Sequence, residues 1–89
     1  MSMAKNEWEK IKINMVTGTT ANTDIALTGI TTADELIAVH GFDPDHATAA
    51  SQVVDFTTNA TITAANTIQL DVDSTGYDLQ VFWVDKDAG

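Results

Sequence analysis

The sequence contains no cysteine, no arginine and only one proline among its 89 residues. Without cysteine the chain has neither a disulfide framework nor a thiolate metal site. Its longest apolar runs span a few residues, far short of the roughly 20 that a membrane helix needs. The first ten residues, MSMAKNEWEK, lack the apolar core of a signal peptide. We therefore expect synthesis in the cytoplasm and no membrane partner.

Positive charge is scarce and lies mostly at one end of the chain. Four lysines stand against 13 acidic residues, a net charge of −9. Such a chain repels phosphate backbones, so we predict no nucleic-acid partner. Residues 1–12 carry three of the lysines and a net charge of +1, whereas residues 13–89 carry −10. We predict that residues 1–9 form an assembly contact, suited to an acidic neighbour, and that residues 10–89 form a single β domain.

What the chain has in quantity is β-branched side chains, including fourteen threonines, which pack well on pleated sheets. Alternation around Ile11, Ile13 and Met15 predicts a first strand. Further short strands are predicted in IALTGI, LIAV, VVDFTT, ATIT, TIQLDV and DLQVFWV, with turn signals about every ten residues. This spacing is typical of an antiparallel β-sandwich or barrel, here of about six to eight strands. A capping box formed by Thr32 and Glu35 predicts at most one short helical turn.

Strict alternation also predicts which side chains share the core. The expected core residues are Ile11, Ile13, Ile68, Leu70, Leu79, Val81 and Trp83. Phe82 and Val84 then lie together on the opposite side of the last strand. Two apolar side chains there indicate a strand covered on both sides or an apolar contact patch.

The stretch DVDSTGYD is similar to the start of a calcium loop, with carboxylates at Asp71, Asp73 and Asp78. An EF-hand loop needs a carboxylate at its twelfth position, which falls on Phe82. Asp, Ser, Thr and Gly also build turns, and Gly76 can supply a positive φ. We therefore favour a hairpin turn that does not require calcium, and a weak calcium site at the three aspartates stays open.

The stretch HGFDPDH holds both histidines of the chain, His40 and His46, with Asp43 and Asp45 between them. No further ligand is spaced to complete a four-coordinate zinc site, so we predict no metal and no cofactor here. The sequence also has no Ser-His-Asp order and no glycine-rich phosphate loop. We predict that the protein is not an enzyme.

Two stretches carry a resemblance to a known family: TGTTANTDIALTGITTADELIAV, and TITAANTIQLDVDSTGYDLQVFWVDK at the C-terminal end. They resemble the small all-β head decoration (cement) proteins of tailed bacteriophages, which often show GIT-x-x-D-x-L-x-x-V and end in a TGD-L-x-V-x-W-x-D-like strand. The matching residues are Gly29, Ile30, Thr31, Asp34, Leu36 and Val39, then Thr75, Gly76, Leu79, Val81, Trp83 and Asp85. Tyr77, between Gly76 and Asp78, departs from the second pattern by one residue.

The resemblance implies a structural virion protein without turnover that binds the outer surface of a phage capsid and clamps neighbouring capsid subunits. Its partners would be the major capsid protein and further copies of itself, with a trimer favoured, on the capsid exterior after synthesis in the host cytoplasm. We place the protein interface at Lys5, Trp8, Lys10 and Phe82. The alternatives are a head–tail or tail component, a β-sandwich adhesion module that binds carbohydrate or calcium, and a small hydrolase or lyase subunit.

Overall fold

Strands make up about half of the residues that the structure describes. The computed structural model describes residues 10–45 and 52–86. The strands are β1 Ile11–Thr17, β2 Ile25–Ala26, β3 Glu35–Phe42, β4 Val53–Asp55, β5 Ala60–Ala64, β6 Thr67–Leu70 and β7 Asp78–Val84. A 3-10 turn spans Thr57–Asn59. The all-β fold class predicted from the sequence is confirmed.

The seven strands form two antiparallel sheets. The four-stranded sheet has the order β1-β7-β3-β4, and the three-stranded sheet has the order β2-β6-β5. The buried side chains of both sheets meet in a single apolar cluster between them. The fold is therefore a small antiparallel β-sandwich, and its strand number lies within the predicted range.

The core is filled from both sheets and from the loops between them. Its members are Ile25, Leu27, Ile30, Val39, Phe56, Ile68, Leu70, Tyr77, Leu79, Val81 and Trp83. Five of the seven predicted core residues are among them. Gly41 in β3 leaves room for two of the rings: Phe56 and Tyr77 meet edge to face with centroids 5.4 Å apart, and a Cβ on Gly41 would lie 2.5 Å from the Phe56 ring.

The predicted core positions in β1 are wrong. Ile13 is 57% exposed, and Ile11 is only half-buried. The inward side of β1 instead carries Asn14, whose Oδ1 accepts a hydrogen bond from the buried Trp83 indole N–H at 2.8 Å, and Val16, which packs against the core. Alternation gives the period of a strand but not the face that is buried, and a shift by one residue exchanges the two faces.

The short helical turn is not where the capping box predicts it. Residues 31–34 form a non-helical turn, in which the Asp34 carboxylate accepts the Thr31 N–H at 2.8 Å and the Asp34 N–H donates to the Thr31 carbonyl at 3.0 Å. A second Asp34 oxygen accepts the Lys86 N–H at 2.9 Å, so this buried carboxylate ties the turn to the end of β7. Glu35 already belongs to β3.

The segment after Asp71 is a turn region but not a hairpin. It joins β6 in the three-stranded sheet to β7 in the four-stranded sheet, so it crosses between the two layers. Gly76 has φ +90°, the positive value predicted for it. Ser74 is fully buried and fixes the crossing: its hydroxyl accepts the Thr19 N–H at 3.0 Å and donates to the Thr19 carbonyl at 3.1 Å.

Candidate interaction surface

The outward side of the four-stranded sheet is largely apolar. Because β1, β7 and β3 pair in register, the side chains that point away from the core line up in rows across the strands, such as Ile13, Phe82 and Ala38. We call this surface the outer face. Its apolar members are Ile11, Ile13, Met15, Ala38, Phe42, Val53, Phe82 and Val84.

Three of these side chains are exposed to an unusual degree for their size. The exposed fractions are 57% for Ile13, 59% for Met15 and 58% for Val53. The other large apolar side chain that is exposed within the described ranges, Ile37, lies at the bulge of β3 in the same sheet. Burying apolar area stabilises by about 25 cal/mol per Å², so a contiguous patch of this kind is typical of a protein-binding surface.

The three-stranded sheet presents a different exterior. Its outward positions are threonine, glutamine and alanine: Ala26, Thr61, Ala64, Thr67 and Gln69. The Gln69 amide donates to the carboxylate of Asp24 at 2.6 Å, a contact that suits a surface facing water. The two sheets therefore share one core but differ in what they offer to a partner.

Charged side chains on the outer face lie at its rim. Glu35, at one end, forms an ion pair with Lys86 at 3.1 Å. Asp55 is on the outermost strand β4, and Asp78 begins β7 at the other end. The central rows hold the apolar side chains with Gln80 and His40. A partner that covers the centre would therefore leave the rim carboxylates in water.

His40 and Asp55 form the polar corner of the outer face. The His40 ring packs edge-on against Phe82, with centroids 5.9 Å apart. Asp55 lies opposite His40 in the β3–β4 pair. Hydrogen bonds from the Thr57 hydroxyl, and then from its backbone N–H at 2.9 Å, hold the pKa of Asp55 below its ordinary value, and His40 adds a smaller effect in the same direction.

The predicted interface residues are only partly described. Phe82 lies half-buried at the centre of the outer face, on the side predicted for it. Lys10 directly precedes β1, and its carbonyl accepts the Asp85 N–H at 2.7 Å. Lys5 and Trp8 lie outside the described residues. The sequence analysis did not place Ile13, Met15 and Val53 in the interface. For Ile13 and Met15, the alternation of β1 was the available signal, but it was interpreted with these residues facing the core.

The three aspartates of the candidate calcium site serve different parts of the fold. Asp71 accepts a hydrogen bond from the Asn59 amide at 2.8 Å. Asp73 closes a turn by accepting the Thr75 N–H at 2.9 Å, and the Thr75 hydroxyl and N–H hold its pKa below the ordinary value. Asp78 opens β7. The three aspartates therefore lie in turns and at the start of a strand.

The residues of the second candidate metal site, around His40, also lie in different parts of the fold where the structure describes them. His40 lies within β3 on the outer face, whereas Asp43 follows that strand and accepts the Asp45 N–H at 3.1 Å. His46 lies outside the described residues. Among residues 10–45 and 52–86, no three His, Cys, Asp or Glu side chains come close enough together to hold a metal ion.

This chain was compared with known protein families, sequences and structures. A scan against protein-family models, a search of curated proteins and a search of solved structures each found no match to this chain. Within the described ranges, no helix has the length and apolar character needed to span a membrane.

Proposed function

We propose that this chain is a structural virion protein that binds the outer surface of a phage capsid and stabilises it by clamping neighbouring capsid subunits. The proposal names the major capsid protein as partner and the capsid exterior as location. It involves no turnover and no cofactor. The capsid assignment rests on the resemblance of the two quoted stretches to decoration proteins, and the way of binding rests on the outer face.

The single observation that carries the proposal is the contrast between the two sheet exteriors. Four strands about 4.8 Å apart, up to eight residues long at about 3.4 Å each, give a projected outer face of about 400 Å², polar positions included, once the short β4 is allowed for. This is the size of the largest patch on a typical monomer, which is often functional. The polar sheet on the other side would remain in water once the outer face is covered.

The charge of the chain agrees with an exterior position. A net charge of −9 opposes contact with packaged nucleic acid and favours a place on the outside of the shell. Residues 1–9, with Lys5 and Trp8, stay a predicted second contact, next to Lys10 and Lys12, which give residues 1–12 their net charge of +1. Self-association belongs to the proposal, and the resemblance favours a trimer.

The test uses capsids assembled from the major capsid protein of the same phage and prepared without this chain. We expect the protein to co-sediment with them and to raise their melting temperature. Val53→Glu places a charge on the exposed outer face and should lower occupancy at least tenfold. The matched control, Thr61→Glu, places the same charge on the exposed exterior of the other sheet and should bind normally.

Two results would contradict the proposal. One is equal capsid occupancy for the two variants, which removes the outer face from the contact. The other is a wild-type protein that ignores capsids but binds an oligosaccharide or tail component, which supports the alternative functions.

A further inference from the structure

The first strand, β1, forms one edge of the four-stranded sheet, with β7 as its only neighbour among the described strands. At its two ends, the Lys10 carbonyl accepts from the Asp85 N–H at 2.7 Å and the Gly18 N–H donates to the Tyr77 carbonyl at 2.8 Å. The register between them is continuous. The even-numbered residues of β1 therefore make the bonds to β7, and the odd-numbered residues direct their N–H and C=O groups away from the sheet.

This edge differs from the other three that the structure describes. At the remaining edges, β2 has two residues, β4 has three, and β5 is interrupted by a register shift between Ile62 and Ala64. β1 pairs over seven residues without a shift, and its sequence IKINMVT has no proline. Natural edge strands are commonly protected by shortness, bulges, proline or charge, and β1 has only Lys12.

We propose that β1 is the pairing site for a second copy of this chain, and that the two β1 strands run antiparallel across a twofold axis at Asn14. This register opposes Ile11 to Thr17 and Ile13 to Met15 of the other copy, so all seven residues are paired. The odd-numbered residues, which already point outward, make the bonds between the copies. The result is one eight-stranded sheet through two copies.

Charge favours a second copy at this edge. Two chains of net charge −9 repel each other, and contact is least unfavourable where neither brings a carboxylate. β1 is free of acidic residues and carries one lysine. In the proposed register, Lys12 faces Val16 of the other copy, and the two Lys12 residues lie about 13 Å apart along the strands. That distance exceeds the Debye length of about 8 Å at physiological ionic strength.

Pairing also changes the size of the outer face. The side chains of Ile13 and Met15 border the edge, so the outer faces of two copies join into one apolar surface. Its projected area doubles to about 800 Å², the area that each partner contributes to a standard protein interface. Use of the doubled surface on a capsid rests on the function proposed above; the pairing itself does not.

The first experiment measures the mass of the full chain by sedimentation over a wide concentration range. We expect a dimer for the wild type, in place of the trimer that the resemblance favours. Met15→Pro removes one outward N–H, at a position where an edge strand tolerates proline, and should raise the dimer dissociation constant at least tenfold with an unchanged circular dichroism spectrum. Met15→Thr changes the same side chain but keeps the N–H, and should still dimerise.

The second experiment tests the register and uses the absence of cysteine from the chain. Asn14→Cys places two sulfurs at the twofold axis, where opposed Cα atoms lie about 4.5 Å apart, and should form a disulfide dimer under mild oxidation. Lys12→Cys, about 13 Å from its equivalent, should not. Because Asn14→Cys also removes the acceptor of the Trp83 indole N–H, a circular dichroism spectrum equal to that of the wild type is required before the cross-linking is compared. Equal cross-linking of the two variants would contradict the register.

Failure of the pairing and failure of the capsid function are distinguishable. A wild-type monomer at all concentrations, or a trimer that Met15→Pro leaves intact, overturns the pairing even if the protein binds capsids. A dimer that binds no capsid keeps the pairing and overturns the function. Val53→Glu lies on the opposite edge strand and should lower capsid occupancy while leaving the dimer intact.

Discussion

The indole N–H of Trp83 donates a hydrogen bond of 2.8 Å to the side-chain oxygen of Asn14, across the pair formed by β7 and β1. Trp83 is buried, so its N–H group has lost its water and depends on this acceptor. The contact places a polar residue on the inward side of β1. It thereby directs Ile13 and Met15 to the outer face.

Removal of this acceptor should destabilise the domain. We expect Asn14→Ala to lower the free energy of unfolding by about 1–3 kcal/mol, because the buried indole N–H is left without a partner. Urea unfolding followed by circular dichroism measures the change. In a double-mutant cycle with Trp83→Phe, which removes the donor, the Asn14→Ala cost should shrink. A cost that is independent of Trp83 would show that the hydrogen bond is not its cause.

The middle of β7 tests the assignment of the two faces directly. Val81 is fully buried, and Gln80, its neighbour, points to the outer face. We expect Val81→Asp to unfold the domain, because burying an unpaired carboxylate costs several kcal/mol, comparable to the whole stability of a small domain. Gln80→Asp introduces the same group on the other side and should fold normally. Circular dichroism of the two variants measures whether each is folded. A folded Val81→Asp protein would refute the placement of Val81 in the core.

The strands β6 and β7 could be predicted because their inward positions are apolar without exception. Ile68 and Leu70, and then Leu79 and Val81, alternate with polar or outward residues, and all four are fully buried or nearly so. In β1 the same rule points to the wrong face. The need of Trp83 for a hydrogen-bond acceptor is a property of the packed sheet, and no pattern within residues 11–17 reveals it.

The candidate surface was predictable in part for a related reason. Phe82 breaks the alternation of its own strand, so its outward position can be read from the sequence. Val53 and Met15 join the same surface only because the strand order is β1-β7-β3-β4. Strand order depends on which edges pair across long chain separations, and local periodicity does not specify it.

Calcium should not be needed for folding. The crossing between the sheets is held by protein contacts, with Ser74 bonded to both backbone groups of Thr19 and Asp73 bonded to Thr75. We expect the same melting temperature with calcium and with an excess of chelator. Ser74→Ala, which removes the buried hydroxyl, should instead lower stability by about 1–3 kcal/mol under both conditions. A large drop on chelation alone would revive the site at Asp71, Asp73 and Asp78.

Asp55 should contribute to acid sensitivity. Its pKa in the folded state is lowered, chiefly by the Thr57 hydroxyl and then by the Thr57 N–H. The stability that ionised Asp55 contributes is therefore fully present above the unfolded-state pKa of about 4. It is lost as the pH falls through the lower pKa of the folded state. Melting temperatures from pH 7 to pH 3 measure it. The advantage of wild type over Asp55→Ala should shrink below about pH 4, and an advantage that grows there would contradict the sign.

The last prediction concerns residues 1–9 as a contact with the capsid. Three lysines in the first twelve residues make the start of the chain mildly basic, whereas residues 13–89 carry −10. Residues 1–9 themselves carry Lys5 against Glu7 and Glu9, so the anchor of this contact is Trp8, a residue type that is enriched at the centre of protein interfaces. Deletion of residues 1–9 keeps Lys10, whose carbonyl bonds to the Asp85 N–H, so the pairing of β1 with β7 is preserved.

We expect the shortened protein to keep its melting temperature within about 2 °C, because every core residue in the described part of the chain is retained. Its retention on capsids should fall because Trp8 is lost. Residues 1–9 carry Lys5 against Glu7 and Glu9, so the deletion removes no net positive charge and the difference from the full chain should depend little on salt. The full-length double variant Lys5→Gln and Trp8→Ala should reproduce part of this loss of retention. It thereby separates the effect of the two side chains from the effect of shortening the chain. Equal capsid occupancy for the shortened and full-length proteins at low salt would remove residues 1–9 from the interface and leave binding to the outer face alone.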